Sequence, residues 1–358
     1  MGHLKVLIEV IAVLAVLIIF HEWGHFLAAR FFGVKVLRFS MGFGPRLIGR
    51  QVGETEYLVC AVPLGGYVNL LGESPDEPLS DDDRPRAFSS QSVWRRTLIV
   101  AAGPGFNLLL AVALFMVVAM VGLPTLTPQV GVIQTGMPAE RAGLMPDDVI
   151  RAIEEQEIAQ WEEIQAALQR HGGKTLTMIV ERHGQRLPLT ITPERRERPT
   201  LFGEMKPGWL IGVSPKGTFV TRRLNPVSAA VFGLRRTGEI TVLTVVGLAK
   251  IIQGTVPSST IGGPILIAQL VGQQANEGLL AISLFIAILS INLGVINLFP
   301  IPVLDGGHLL FFAIEAVLGR PVSIQKRELA QRVGFALLIS LMLFAFYNDI
   351  MRFFPAPG

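Results

Sequence analysis

The chain has 358 residues, of which 50% are hydrophobic and only 16% are charged, a balance typical of a membrane protein. Its formal net charge is +3, and its basic residues form no long tract interleaved with aromatic residues, which argues against a nucleic-acid partner. The single cysteine, Cys60, excludes an intramolecular disulfide framework and a multi-cysteine zinc site.

The first predicted element is a membrane-spanning helix within residues 1–35. Residues 6–29 are apolar apart from Glu9 and the sequence HEWGH at 21–25, and this length matches the ~20 residues that cross a ~30 Å hydrocarbon core. The apolar run is longer than that of a secretory signal, and no small-residue cleavage site follows it. We therefore expect this helix to remain in the membrane.

Further elements follow in chain order. Residues 36–72 combine strand-like alternation with many glycines, which predicts a membrane-associated β-hairpin or small sheet. The polar, proline-containing residues 73–94 predict a cytoplasmic linker. Three more apolar runs predict spanning helices at 95–123, at 278–307 and within 333–358, the last range including the tail.

Basic residues cluster in two connections between these helices and predict the topology. The positive-inside rule assigns both connections, including the predicted loop at 308–332, to the cytoplasm. The long segment 123–277 then lies on the outer side, and the first and third helices both run inward, so that their carboxyl ends meet at the same depth. The basic residues are Arg30, Lys35, Arg38, Arg46, Arg50, Arg320, Lys326, Arg327 and Arg332.

Residues 124–200 predict an inserted α/β domain, with an amphipathic region at 201–277 after it. The order is strand, short helix, strand, amphipathic helix and a hairpin that turns at Gly184. Within 201–277, residues 209–214 are a candidate for one more strand of the domain. Residues 219–256 pair apolar with basic residues, and we expect them to lie along the outer membrane surface, with a role in gating access as the alternative.

The HEWGH sequence carries the predicted chemistry. Histidines four residues apart lie on one face of a helix, so His21 and His25 can reach the same metal ion. Glu22 is placed to take a proton from a water in the open position of the metal, as in H-E-x-x-H metalloproteases. Zinc needs a third protein ligand, and the predicted topology makes Asp305 the strongest candidate. His308 is then a neighbour of the site rather than a fourth ligand.

Three other interpretations of this cluster stay open from the residues alone. H-E-x-x-H occurs by chance in helices, but ionisable groups in a spanning helix cost on the order of a few kcal/mol each, which favours a function. A membrane scaffold that gathers partners through the inserted domain leaves HEWGH without a purpose. A metal transporter predicts ligands along a path through several helices, whereas here they collect at one depth.

The inserted domain carries a signature made by Pro138, Ala142, Gly143, Leu144, Asp148 and Ile150. It resembles a circularly permuted PDZ domain, with Asp147 where that family usually has glycine. The other motifs are HEWGH, GPGFN (Gly103 to Asn107), GGPI (Gly262 to Ile265) and NLFPIPVLDGG (Asn297 to Gly307). Together these motifs resemble the site-2 protease family of intramembrane zinc metalloproteases, most closely its bacterial regulator of sigma-E protease group. This chain has one PDZ-like domain, where some relatives have two.

The resemblance implies a polytopic α-helical membrane protein of about four transmembrane helices, with a membrane-associated β region and an inserted PDZ-like domain. It implies Zn²⁺ held by His21, His25 and Asp305, with Glu22 as general base. It also implies that Asn292 and Asn297 help to hold the substrate. Asparagine can pair with the backbone of an unwound substrate helix, although hydrogen bonds between helices of the protein explain these residues equally well.

The same resemblance implies partners and a location. The expected substrates are single-span membrane proteins, such as anti-sigma factors or signal-peptide remnants, already trimmed by an upstream site-1-type protease. An edge of the β region at 36–72 is a candidate for pairing with an extended substrate, with a purely structural plug as the alternative. The expected location is the bacterial inner membrane, with the active site near the cytoplasmic side and the PDZ-like domain on the periplasmic side.

Overall fold

The computed structural model describes residues 2–73, 79–200 and 202–354. Parts of the predicted linker at 73–94, of the amphipathic region at 201–277 and of the tail lie outside the described residues. The chain divides into two compact units, which we call the helical unit and the inserted domain. The helical unit comprises residues 2–118, 227–249 and 257–354, and the inserted domain comprises residues 119–226 and 250–256.

The helices and strands are numbered in chain order. The helices are α1 (Gly2–Phe31), α2 (Val93–Val121), α3 (Pro138–Arg141), α4 (Trp161–His171), α5 (Pro226–Ile252), α6 (Pro264–Glu277), α7 (Leu279–Asn297), α8 (Asp305–Leu318) and α9 (Ile324–Met351). The strands are β1 (Val36–Val52), β2 (Thr55–Leu70), β3 (Leu123–Leu126), β4 (Val130–Ile133), β5 (Val149–Ile153), β6 (Gln156–Glu157), β7 (Leu176–Arg182), β8 (Gln185–Ile191), β9 (Glu194–Pro199), β10 (Met205–Leu210), β11 (Val213–Pro215) and β12 (Phe219–Arg222).

Within the described residues, four helices are long and apolar enough to cross a membrane, namely α1, α2, α7 and α9. Each contains an 18-residue window with a mean hydropathy between 1.9 and 2.6, and much of each window is exposed at the surface of the chain. Apolar side chains exposed over such lengths require lipid rather than water around them. The fold is therefore that of a multi-pass membrane protein.

The third predicted helix, within 278–307, ends before Asp305, and a new helix begins there. Helix α7 stops at Asn297, the chain turns through 298–304, and α8 begins at Asp305. A Cβ on Gly306 would lie 2.1 Å from the carbonyl oxygen of Phe299, so the glycine lets the new helix pack directly on this turn. The predicted loop at 308–332 contains most of α8, a helix of 14 residues that is too short to span a membrane and whose Phe311 and Phe312 are buried.

Strands β1 and β2 form an antiparallel sheet in which each strand bends back on itself. Phe39 pairs with both Val68 and Tyr57, so the first part of β1 lies between the two parts of β2. Residues 66–70 pair with β1 and form an edge of this sheet. Phe26 and Ile99 are buried in one cluster with residues of β1 and β2, so α1 and α2 pack against the sheet.

Helix α5 packs against α2 and α7 instead of standing apart from them. Its buried residues are Ala229, Gly233 and Thr237, which follow one another at intervals of four along the helix. A Cβ on Gly233 would lie 2.6 Å from the carbonyl oxygen of Val112, so the backbones of α5 and α2 touch. Within the segment 219–256, which the sequence predicts to lie along the outer membrane surface, these small residues give α5 a close contact with a spanning helix.

The GGPI sequence forms the start of α6 and is held by α9. Asp349 is 2% exposed, and its carboxylate accepts hydrogen bonds from the backbone N–H groups of Gly263, Ile265 and Leu266. These donors have no partner inside the helix, so the carboxylate satisfies the amino end of α6. A Cβ on Gly263 would meet this carboxylate at 2.6 Å, which explains the glycine.

The inserted domain has its own hydrophobic core. A four-stranded sheet with the order β6-β5-β7-β8 packs against α4, and Ile150, Ile153, Ile164 and Met178 are almost fully buried between them. Strand β11 pairs with β4, so residues after 200 complete the fold, as the candidate strand at 209–214 suggests. The predicted hairpin turns at Gly184, which has a positive φ of 79°.

Candidate metal centre

The crossing of α1 and α2 positions the two histidines. A Cβ on Gly24 would lie 2.3 Å from the carbonyl oxygen of Ala102, and a Cβ on Gly103 would lie 2.2 Å from Nε2 of His25. Only glycine permits such an approach at either position. The two helices therefore cross in close contact, and the His25 ring fits over the backbone of α2.

Three side chains converge beside this crossing. His21 Nε2 lies 3.1 Å from Asp305 Oδ2, His25 Nε2 lies 3.5 Å from Asp305 Oδ1, and the two Nε2 atoms lie 3.3 Å apart. One donor atom from each residue falls within 4.8 Å of the others. The sequence-predicted ligands His21, His25 and Asp305 are thus brought together, with Asp305 supplied by the first residue of α8.

The donor set fits zinc. His25 Nδ1 lies 3.0 Å from the carbonyl oxygen of Ile99 and donates to it, so a neutral His25 ring carries its lone pair on Nε2. That lone pair faces the Asp305 carboxylate, whose buried Oδ2 has no hydrogen-bond donor among the described residues. Because the lone pairs of His25 Nε2 and the Asp305 carboxylate repel each other, this arrangement needs a cation between these atoms. Two imidazoles and one carboxylate are a ligand set found in catalytic zinc sites, and they leave a fourth position open.

Glu22 lies in the same cavity. The cavity has a volume of about 450 Å³ and is lined by His21, Glu22, His25 and Asp305, together with residues of β2, α2, α8 and α9. The Glu22 carboxylate accepts a hydrogen bond from the backbone of Val68. A Cβ on Gly66 would meet Glu22 Cγ at 3.0 Å, so the glycine lets the edge of the sheet approach the carboxylate.

The other predicted residues lie elsewhere. His308 lines the cavity beside Asp305. Asn292 and Asn297 are partly exposed, and neither is among the described residues that line the cavity. The Oδ1 atom of Asn292 accepts a hydrogen bond of 2.8 Å from Thr244 of α5, a contact between helices of this chain.

Sequence reasoning missed residues that support the ligands. Asn107 is fully buried, and its amide lies 3.1 Å from His21 Nδ1. Arg96 forms a two-pronged ion pair with Glu315, with Nη2 of Arg96 lying 2.6 Å from Oε1 of Glu315, and so ties α8 to α2. The GPGFN sequence contains both Gly103 and Asn107 and was the signal available. Their contacts depend on how α1 and α2 cross, which no local pattern encodes.

Comparisons with known proteins agree on the class. The model of peptidase family M50 matches residues 9–341. A Rhizobium meliloti protein provisionally named as a zinc metalloprotease is 36% identical over 351 residues, which cover 94% of each chain. The zinc metalloprotease RasP of Oceanobacillus iheyensis is 30% identical over 421 residues, which cover 96% of this chain and 98% of RasP.

A similar match comes from Clostridium acetobutylicum. Its protein, also provisionally named as a zinc metalloprotease, is 36% identical and covers 96% of this chain. The fold, the donor set and these relatives define a membrane zinc metalloprotease of the site-2 protease type, with Zn²⁺ as its cofactor. The chain belongs to peptidase family M50.

Proposed function

We propose that this chain is an intramembrane endopeptidase in which His21, His25 and Asp305 hold the zinc ion and Glu22 is the general base. The convergence of these three side chains beside Glu22, in one cavity between apolar helices, is the observation that carries the proposal. When bound, zinc supplies a Lewis acid that polarises the scissile carbonyl and acidifies a water.

The protein side chains perform the proton transfers. Glu22 takes a proton from the attacking water at its carboxylate and later delivers that proton to the leaving amine. The backbone of Val68 holds the Glu22 carboxylate in place, and the Ile99 carbonyl fixes the ring of His25. These supports orient the base and a ligand before a substrate enters, which lowers the entropic part of the barrier.

The edge of the sheet is the proposed substrate-binding element. Residues 66–70 pair with β1, and Gly66 and Val68 line the cavity beside Glu22. A substrate helix must unwind before its peptide bond can be attacked, and the freed backbone groups need partners in an apolar setting. Strand addition at this edge supplies such partners and presents the extended chain to Glu22.

Asn292 and Asn297 are proposed as further substrate contacts on α7. Both side chains are partly exposed at the carboxyl end of this helix, close along the chain to the turn that leads to Asp305. For Asn292 to act in this way, its amide must exchange Thr244 for the substrate backbone, since its oxygen accepts a hydrogen bond from that threonine. The case for a direct contact with the substrate is therefore stronger for Asn297 than for Asn292.

The proposed substrates are single-span membrane proteins cleaved in regulated intramembrane proteolysis. We propose that a site-1-type protease trims them first, and that anti-sigma factors or signal-peptide remnants are examples. The inserted domain, with its PDZ-like order of elements, excludes bulky outer domains or senses a trimmed terminus. In this proposal the chain lies in the bacterial inner membrane, with the inserted domain on the periplasmic side and Glu22 towards the cytoplasm.

Cells that carry Glu22→Gln in place of the wild-type protein test this proposal. The substitution keeps the size of the side chain but removes the base, so membrane-tethered fragments of single-span proteins should accumulate in the variant. Quantitative proteomics of the two membrane fractions measures them. Wild-type-like processing of every membrane protein in the Glu22→Gln cells would contradict the role of Glu22 and the proposed function with it.

A further inference from the structure

Asn107 is buried at the metal centre in an arrangement that the proposed mechanism does not explain. Its exposed fraction is 0%, and its backbone carbonyl accepts a hydrogen bond of 2.7 Å from Ser290 Oγ on α7. Its amide nitrogen lies 3.1 Å from His21 Nδ1. Its Oδ1 atom is buried and has no hydrogen-bond partner among the described residues. A buried amide oxygen without a donor destabilises the fold.

The donor atom of this contact conflicts with metal binding by His21. If the amide N–H donates to Nδ1, then Nδ1 carries the lone pair and a neutral His21 ring carries its hydrogen on Nε2. Nε2 is the atom that faces Asp305, at 3.1 Å, and His25 Nε2, at 3.3 Å. A protonated Nε2 has no lone pair to offer a metal ion at that point.

Rotating the Asn107 amide by 180° gives Oδ1 a hydrogen-bond donor and frees Nε2 of His21 to bind a metal ion. The oxygen and nitrogen of the amide exchange places without changing the outline of the side chain. Oδ1 then accepts the Nδ1–H of His21 and gains the donor that it lacks. The lone pair of His21 moves to Nε2, which points at Asp305 and His25.

We propose that Asn107 is a positioning residue that selects the metal-binding form of His21 by accepting its Nδ1–H; this inference rests on the proposed zinc site. His25 is held in the same way, because its Nδ1 lies 3.0 Å from the Ile99 carbonyl. Ile99 and Asn107 lie about two helical turns apart on α2. Helix α2 thus orients both histidines of α1, although it supplies no ligand of its own. Such outer hydrogen bonds commonly contribute a factor of about 10–100 to metal affinity.

The zinc affinity of two Asn107 variants tests this role. In Asn107→Asp a carboxylate can only accept, so the proposal predicts that zinc affinity stays close to that of the wild type. In Asn107→Leu, which has a similar shape and no acceptor, zinc affinity should fall about 10–100-fold. Competition with a chelator of known affinity measures both on the purified full-length chain. Donation by the amide would instead keep the hydrogen of His21 on Nε2, so in that case removing the amide in Asn107→Leu would not lower zinc affinity.

Ser290→Ala is the matched control. It removes the hydrogen bond that Ser290 Oγ donates to the backbone carbonyl of Asn107 and leaves the Asn107 amide and His21 unchanged. Zinc affinity should therefore stay within about threefold of the wild type while thermal unfolding of the zinc-free chain shifts. Where Asn107→Leu does not fold, Asn107→Ala removes the acceptor without adding volume. Weak zinc binding by Asn107→Asp, or wild-type affinity in the Leu or Ala variant, would overturn the inference.

His21→Ala separates this inference from the proposed function. If His21→Ala binds zinc as tightly as the wild type, the proposed ligand set is wrong, and the role of Asn107 is wrong with it. If His21→Ala loses zinc while Asn107→Leu and Asn107→Ala keep wild-type affinity, the ligand set stands and only the role of Asn107 is overturned.

Discussion

Single glycines decide whether the proposed zinc ligands can meet. Gly103 lies under the ring of His25, and a methyl group there would overlap with Nε2 of that ring. Gly105, two residues further along α2, has open space around the position of a Cβ. The two positions share a helix and a residue type, and they differ in whether the ring of a proposed ligand, His25, lies above them.

This difference gives a prediction for alanine substitutions. Gly103→Ala should displace the His25 ring and lower proteolytic activity by about a hundredfold, the usual result of moving a reacting group by about 1 Å. Gly105→Ala should leave activity unchanged. Alanine favours a helix over glycine by about 1 kcal/mol, so a loss at Gly103 alone cannot come from helix propensity. Cleavage of a membrane-embedded substrate by both variants measures this, and equal activities would contradict it.

At the same scale, the sequence predicts some of the site and not the rest. The four-residue spacing brings His21 and His25 to one face of a helix, and Glu22 follows from the same motif. Asp305 follows from the direction of the helices, because two helices that run the same way end at one depth. Asn107 does not follow, since its role depends on the angle at which α1 and α2 cross.

At the scale of elements, α8 is the piece that sequence reasoning did not find, although it carries Asp305 at its first residue. Arg96 of α2 holds α8 through Glu315, and both side chains are about one-tenth exposed. Arg96 also lies over the ring of Phe312. The apolar residues that are buried in α8 can be recognised in the sequence. This stretch is too short, however, for its periodicity to distinguish a helix from a loop between two long apolar runs.

The Arg96–Glu315 pair is predicted to set the position of α8. Glu315→Gln leaves the Arg96 charge buried and unpaired, which should destabilise the chain by about 3–5 kcal/mol and reduce cleavage. The double substitution Arg96→Met with Glu315→Leu removes both charges and should restore most of the stability. Thermal unfolding of the purified full-length variants measures this. A double variant no more stable than Glu315→Gln would contradict a paired role.

In the inserted domain, the sequence predicts the order of strands and helices because their ends have local signals, such as Gly184 at the hairpin turn or the glycine after α4. The sequence does not predict the buried ion pair between Asp148 and Arg182 in this domain. Asp148 is 1% exposed and accepts hydrogen bonds from Arg182 and from the backbone N–H of Met145. Burial raises the pKa of Asp148, but the hydrogen bonds from Arg182 and the Met145 N–H, together with the nearby positive charge, outweigh burial and hold that pKa below its usual range.

This shift predicts how the stability of the inserted domain depends on pH. A carboxyl group whose pKa is lower in the folded state stabilises the fold above its unfolded pKa of about 3.9 and stops doing so as pH falls through the folded value. The protection of the β5 and β7 amides against hydrogen exchange in the full-length chain, relative to the intrinsic exchange rate at each pH, should therefore fall below about pH 4. Asp148→Asn should exchange faster at pH 7 and depend less on pH, and an identical profile in the two proteins would contradict this.

At the scale of the whole molecule, the account is a multi-pass membrane chain whose distant segments build one metal centre. The number of spanning helices and their order along the chain follow from hydropathy. The sequence also predicts a β region after the first helix, although not that an edge of its sheet reaches Glu22. That contact depends on Gly66 and on the register of β1 with β2. Because each strand bends back on itself, the alternation of apolar and polar residues does not predict this register.

The most direct test of the central claim measures zinc content and cleavage together on purified full-length protein. The account predicts that Glu22→Gln retains zinc at the wild-type level while cleavage of a single-span substrate falls at least about a hundredfold, and that Asp305→Ala loses both. Wild-type zinc content and cleavage in Asp305→Ala, or undiminished cleavage in Glu22→Gln, would contradict it.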